Sequence, residues 1–255
     1  MRDSVILARA GQSQPLRYVK LEEFMIPLKD DIESYTRPFI TYLILGLNII
    51  VYLYEFLIGS YKQDFIWQFG AVPYEIFHPV YVSGEMTLMP YLKILFSMFI
   101  HANFMHILGN MLFLWVFSDN VEDRIGHFKF LFLYLIWGIS GTLLHSLLSS
   151  DSKIPMVGAS GAISGILGAY VVFYPRARIL SLIPFGFFLR MTYLPSIFFI
   201  GIWFLYQFLF GIATVGATGG GVAYFAHIGG FVAGLLSALL FTKRKRRNRV
   251  DYEIF

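Results

Sequence analysis

Two side chains suited to nucleophilic catalysis stand far apart in the chain, each beside small residues: Ser160 in Gly158-Ala159-Ser160-Gly161 and His227 in Ala226-His227. A serine hydroxyl is a weak nucleophile until a neighbouring base takes its proton, and imidazole suits that task near neutral pH. No Asp or Glu lies near His227 in sequence. The arrangement implied is therefore a dyad, with His227 taking the Ser160 proton and returning it to the leaving group, oriented by packing and not by a carboxylate. His106 and Asn110 are four residues apart, hence on one face of a helix. They read as interhelical hydrogen bonds or as donors to a developing oxyanion, together with the backbone N–H of Ser160 at the positive end of its helix. One pair can serve both purposes. The chain has no cysteine, which removes disulfides, thiolate metal sites and a thiol nucleophile. The reading calls for no cofactor and no metal.

The elements that must position these groups are apolar. Of the 255 residues 57% are hydrophobic and 14% charged, too apolar a balance for a soluble domain. An all-α membrane protein with six transmembrane helices is expected, with spans at about 39–58, 98–118, 129–148, 159–174, 194–212 and 222–241. Residues 1–37 form an N-terminal tail, 38–242 the six-span domain and 243–255 a basic C-terminal tail. Seventeen of the twenty Lys and Arg fall on the side of the two termini, leaving Lys62, Lys93 and Lys153 opposite. Both termini are thus expected in the cytoplasm of a cell membrane, and the run Lys243-Arg244-Lys245-Arg246-Arg247 reads as an anchor to anionic lipid, with no nucleic-acid partner.

With that topology the N-terminal ends of spans 2, 4 and 6 all lie at the outer face. These ends carry His101, His106 and Asn110, then Ser160, then His227, so three distant segments bring polar groups to one depth. From Ser160 to Tyr174 is about 22 Å of helix, short of the roughly 30 Å hydrocarbon core, which sets Ser160 beneath the outer surface in a cavity that water must reach. Gly161 and Gly165, like Gly230 and Gly234, have the spacing that lets two helices approach closely, and a serine on span 4 reaches a histidine on span 6 only if those helices nearly touch. Ser164 sits one turn deeper than Ser160, which is the preferred nucleophile. His78, His127 and His145 read as interfacial. The connection 59–93, with Pro73, Pro79, Pro90, Trp67, Phe69 and Tyr74, and the stretch 176–193 are expected at the membrane surface.

Three motifs resemble those of the rhomboid intramembrane proteases, over about residues 39–241. They are His101-x4-His106-x3-Asn110, Gly158-x-Ser160-Gly161 and Ala226-His227-x2-Gly230-x3-Gly234. The resemblance implies cleavage of a peptide bond in or beside a transmembrane segment of a single-span membrane protein. Ser160 would be nucleophile, His227 general base, and His106 and Asn110 oxyanion-site side chains. Glu122-Asp-Arg124 resembles a structural element of the family. Two features depart from the pattern: Ser164 stands where well-studied members often place an aromatic that stacks on the catalytic histidine, and no Trp precedes an Arg in the first connection. The resemblance further implies lateral substrate access between spans 2 and 5, with Trp203, Phe204 and Phe208 as gate elements and Gly219-Gly220-Gly221 as a hinge for a cap. A transporter is disfavoured by the lack of a buried acidic series or internal repeat. The alternative is a proteolytically inactive relative that binds and escorts membrane proteins, which would need neither Ser160 nor His227.

Overall fold

The computed structural model describes residues 25–242 apart from 79, 83–84, 186–187 and 215–220. The basic run 243–247, most of the N-terminal tail, Pro79 and Gly219-Gly220 lie outside the described residues.

Hydrocarbon offers a backbone no hydrogen-bond partner, so apolar runs close their bonds within helices. Each expected span holds one: α1 (Phe39–Leu57), α5 (Phe104–Ile125), α6 (His127–Leu148), α7 (Ser160–Phe173), α8 (Ser196–Ala213) and α9 (Tyr224–Leu239), where α2 to α4 fall between α1 and α5. By length and composition α1, α6 and α8 suffice to cross a membrane, while α7 and α9 are apolar but shorter. The helix α5 starts six residues later than the span expected from 98. Asn103 has extended backbone and its side chain accepts the His106 N–H at 2.9 Å, which makes it the N-cap.

The described residues of the first connection form short regular elements. It holds α2 (Lys62–Phe69), α3 (Pro73–Phe77), a two-residue ribbon β2–β3 (Tyr81–Val82, Glu85–Met86) and α4 (Met89–Ser97), numbered after the strand β1 described below. Trp67 is half exposed. Among the polar ties that hold the connection, Lys93 Nζ pairs with Glu75 at 2.7 Å, and Ala71 and Met156 exchange backbone hydrogen bonds of 3.0 and 2.7 Å. The second joins this connection to the loop that leads into Ser160.

The stretch read as surface-lying forms a hairpin, β4 (Arg178–Phe185) and β5 (Phe188–Pro195). A third strand, β1 (Ile26–Asp30), comes from the stretch read as an N-terminal tail and pairs antiparallel with β4, giving the order β1-β4-β5. The register slips between Pro27 and Lys29, as fits a proline that has no N–H to give the ladder. Beyond the strand, Ser34 Oγ donates to Asp119 at 2.6 Å and Thr36 donates to Asp123 through N and Oγ1. Glu122, fully buried, accepts from the N–H of Ile40 and Thr41 and from Thr41 Oγ1 at 2.7–3.0 Å, and its other neighbour is His127 Nδ1 at 2.6 Å. A carboxylate there satisfies donors that the first turn of α1 cannot pair within itself. His127 is thus part of a structural tie, while His78 stacks on Tyr74 at 4.0 Å on the surface.

At the centre stands α7. Every residue from Gly161 to Tyr170 is buried, and α7 packs against α9 more extensively than any other two elements pack. Its lower end is tied to β1, since Tyr170 Oη and Asn120 Nδ2 donate to Asp30 Oδ2 at 2.5 and 2.7 Å. Burial outweighs these two donors and pushes the Asp30 carboxyl up to about 6. A raised pKa in the folded state means that the fold holds the proton more tightly than the unfolded chain does. The associated stability is complete below the ordinary Asp range and is lost as pH rises through about 6. Thermal midpoints in detergent are therefore expected to fall between pH 5 and pH 7.5. In Asp30→Asn that fall shrinks, and an equal fall in both proteins counts against Asp30 as its source.

Candidate active site

Ser160 is the first residue of α7, immediately before the buried stretch that begins at Gly161, and is itself only partly buried. His227 lies in the first turn of α9 and is 7% exposed. The structure brings the two together: His227 Nε2 is 2.7 Å from Ser160 Oγ. That is hydrogen-bond distance for proton transfer from hydroxyl to imidazole. Ser164 is kept out of this arrangement. Its side chain is fully buried and its Oγ donates back to the Ser160 carbonyl at 2.6 Å, the habit of serine inside a helix.

The close approach of α7 and α9 depends on glycine, but less symmetrically than the spacing suggests. A Cβ on Gly230 would collide with the Gly161 carbonyl, and one on Gly234 with the Gly165 carbonyl. On α7, Gly161 and Gly165 are not pressed by α9 in the same way. A Cβ on Gly161 would meet nothing nearer than 3.6 Å, and one on Gly165 would run into the Trp137 indole of α6. Thus Gly230 and Gly234 of α9 admit α7 carbonyls near Ser160, while deeper in the contact Gly168 of α7 admits the Phe231 carbonyl of α9.

His106 and Asn110 sit beside the turn that delivers Ser160. Gly158 has φ +124°, a left-handed conformation that favours glycine, and its N–H donates to the Ser97 carbonyl at 2.8 Å. A Cβ there would come within 2.7 Å of the His106 imidazole and 3.6 Å of Asn110 Nδ2. Asn110 is 8% exposed, and its Nδ2 is a buried donor with no hydrogen-bond partner among the described residues. A native fold rarely leaves such a group without a function or a ligand. His101, fully buried, lies edge-on to His106 with ring centroids 5.1 Å apart, and its backbone N–H is held by Glu55 at 3.0 Å.

Sequence reasoning left the surroundings of His227 unfilled, and two α8 residues occupy them. The Trp203 ring lies 6.0 Å from the imidazole at 33°, so the aromatic neighbour comes from α8 and not from the position of Ser164. Gln207 Oε1 lies 2.8 Å from His227 Nδ1, and Gln207 is fully buried. The signal was present: Gln207 is the one amide in an otherwise apolar helix, and a strong polar group there is costly unless it has work to do. Of the aromatics read as gate elements, Trp203 and Phe204 pack inward, Phe204 stacking on Phe231 at 4.4 Å, whereas Phe208 is exposed.

A family model described as "Rhomboid domain" matches residues 90–244. Among curated proteins the chain is similar to "Rhomboid protein 1, mitochondrial" of Saccharomyces cerevisiae, 28% identical over 82% of this chain and 55% of that protein. It is 30% identical to "Rhomboid protease GluP" of Bacillus subtilis over 79% of this chain and 34% of that protein. It is also 30% identical to "Rhomboid protease AarA" of Providencia stuartii, over 80% of this chain and 73% of that protein. The matched region is thus about half of the yeast protein and a third of the Bacillus one.

Proposed function

The chain belongs to the rhomboid family, and on that premise we propose that it is an intramembrane serine endopeptidase in which Ser160 attacks and His227 acts as general base and acid. The observation that carries the reading is the 2.7 Å contact between Ser160 Oγ and His227 Nε2 at the adjoining ends of two tightly packed helices. Two relatives that bear the word protease in their names support it.

In this mechanism the Ser160 oxygen attacks the scissile carbonyl as its proton moves to His227 Nε2. Negative charge builds on the carbonyl oxygen, which the Ser160 N–H at the start of α7, Asn110 Nδ2 and His106 would receive. The imidazolium then gives its proton to the leaving amine, and water reverses the sequence on the acyl-enzyme. Substrates are transmembrane segments of single-span proteins, reached laterally through lipid and unwound at small or helix-breaking residues. The proposal includes six spans within residues 38–242, flanked by tails 1–37 and 243–255. It sets the chain in a cell membrane with both termini cytoplasmic and the site open to the outer face.

The deciding experiment is incubation of the purified protein in liposomes with a single-span model substrate, with the product termini read by mass spectrometry. Cleavage within or beside the span, with a serine-reactive phosphonate attached at Ser160, is the expected result. No cleavage and no labelling of Ser160 would favour the escort reading. Asn110→Ala is expected to lower kcat by about 10²-fold with little change in KM, the loss typical of one oxyanion donor. An unchanged kcat would return Asn110 to a purely structural role.

A further inference from the structure

We infer that Gln207 is a positioning residue which fixes the tautomer and plane of His227, so that α8 supplies the third member of a serine, histidine and glutamine chain. The inference rests on the protease reading above. A neutral imidazole has one N–H and one lone pair. To act as base towards Ser160, His227 must present the lone pair at Nε2, 2.7 Å from the hydroxyl, and therefore carry its proton on Nδ1. That proton needs an acceptor. Gln207 Oε1 lies at hydrogen-bond distance from Nδ1, at 2.8 Å.

Gln207 is fully buried, so bulk water cannot take over this bond. The reverse tautomer would aim an N–H at Ser160 and block proton abstraction. An amide alone does not exclude it, since the group offers a donor as well as an acceptor. Its other neighbours must settle the orientation. Trp203, one turn earlier on the same face of α8, lies 6.0 Å from the imidazole and limits its tilt, while the amide limits rotation about the side chain.

The support behind this pair reaches back to the helix that bears the nucleophile. Ser196, at the start of α8, donates its N–H to the Ala177 carbonyl at 2.7 Å and its Oγ to the Tyr174 carbonyl at 2.5 Å, just past the end of α7. Gln207 follows about 16 Å further along the helix axis. Two separate contacts thus define the base. Glycines of α9 set its distance from Ser160, and α8 sets its orientation. A shift of α8 alone would leave Ser160 and His227 in place and still disable proton transfer.

The test uses the full chain in liposomes with a single-span substrate, comparing wild type, Gln207→Met, Gln207→Glu and Ser160→Ala. Methionine keeps the volume and removes both ends of the amide. It is expected to lower kcat about 10- to 100-fold, part of what a general base contributes, with KM within about twofold and the thermal midpoint retained. An ionised carboxylate can only accept, so Gln207→Glu is expected to recover at least about tenfold of that loss. A merely structural amide would not separate kcat from KM, nor be rescued by Glu. Wild-type kcat in the Met variant, or a Glu variant no better than Met, overturns the inference. If the Met variant does not fold, folded Gln207→Glu decides, and kcat below about a tenth of wild type overturns it. Wild-type cleavage that survives Ser160→Ala, or is absent altogether, removes the protease reading and this inference together.

Discussion

Ser160→Ala is expected to reduce cleavage by at least about 10⁴-fold and to abolish phosphonate labelling, because in the proposed mechanism the Ser160 oxygen forms the covalent intermediate. The thermal midpoint should hardly change, since the Ser160 side chain makes no capping bond to α7 and its hydroxyl pairs with His227. Ser164→Ala gives the contrast. Its hydroxyl is spent on the Ser160 carbonyl one turn above, inside the most enclosed part of α7, so it cannot reach a substrate. Its loss removes a weak intrahelical bond and should leave cleavage within about threefold of wild type. The pair distinguishes chemistry from packing at two serines that share the same sequence context, each followed by glycine. Cleavage that persists in Ser160→Ala and disappears in Ser164→Ala would reverse the assignment.

Ser160, His227, His106 and Asn110 were legible as candidates because their types are rare near the ends of apolar helices and cost free energy there. Residue type revealed them without any knowledge of distances. Gln207 was as anomalous in type, yet nothing in spacing linked a residue in the middle of one span to a histidine at the start of the next. That link is purely tertiary. The helix positions followed from hydropathy, except at α5, where an asparagine cap overrode the apolar run by six residues. The strand β1 was illegible for a different reason. Five residues that include Pro27 and two charges show no alternation strong enough to read, and the strand exists because β4 offers it an edge and Tyr170 and Asn120 bind Asp30. The small-residue spacing on α7 and α9 pointed to the contact between them, but it could not tell which glycines the contact needs, and it passed over Gly168, where a Cβ would collide with the Phe231 carbonyl.

That difference carries the second large effect. Gly230→Val is expected to lower kcat by more than about 10²-fold, since an ångström of misplacement near a reacting pair costs that much. The added Cβ would occupy the space of the Gly161 carbonyl, which is backbone and cannot rotate aside, so α9 must move away from α7. His227 precedes Gly230 by three residues in the same helix, and its 2.7 Å contact with Ser160 would stretch as the helix moves. Overpacking should also destabilise the protein by about 1–3 kcal/mol, visible as a lower thermal midpoint. Gly161→Ala, although it stands beside the nucleophile, places its new methyl 3.6 Å from the nearest atom, an ordinary contact, and is expected to keep cleavage within about threefold. Equal damage from the two substitutions would mean that the contact needs space at Gly161 as well, whereas damage confined to Gly230 follows if, at this level, α9 yields the space and α7 answers with its carbonyl. The second arrangement places the distance between Ser160 and His227 under the control of α9 at this level, which is why a side chain added at Gly230 should cost more activity than a methyl added at Gly161, beside Ser160 itself.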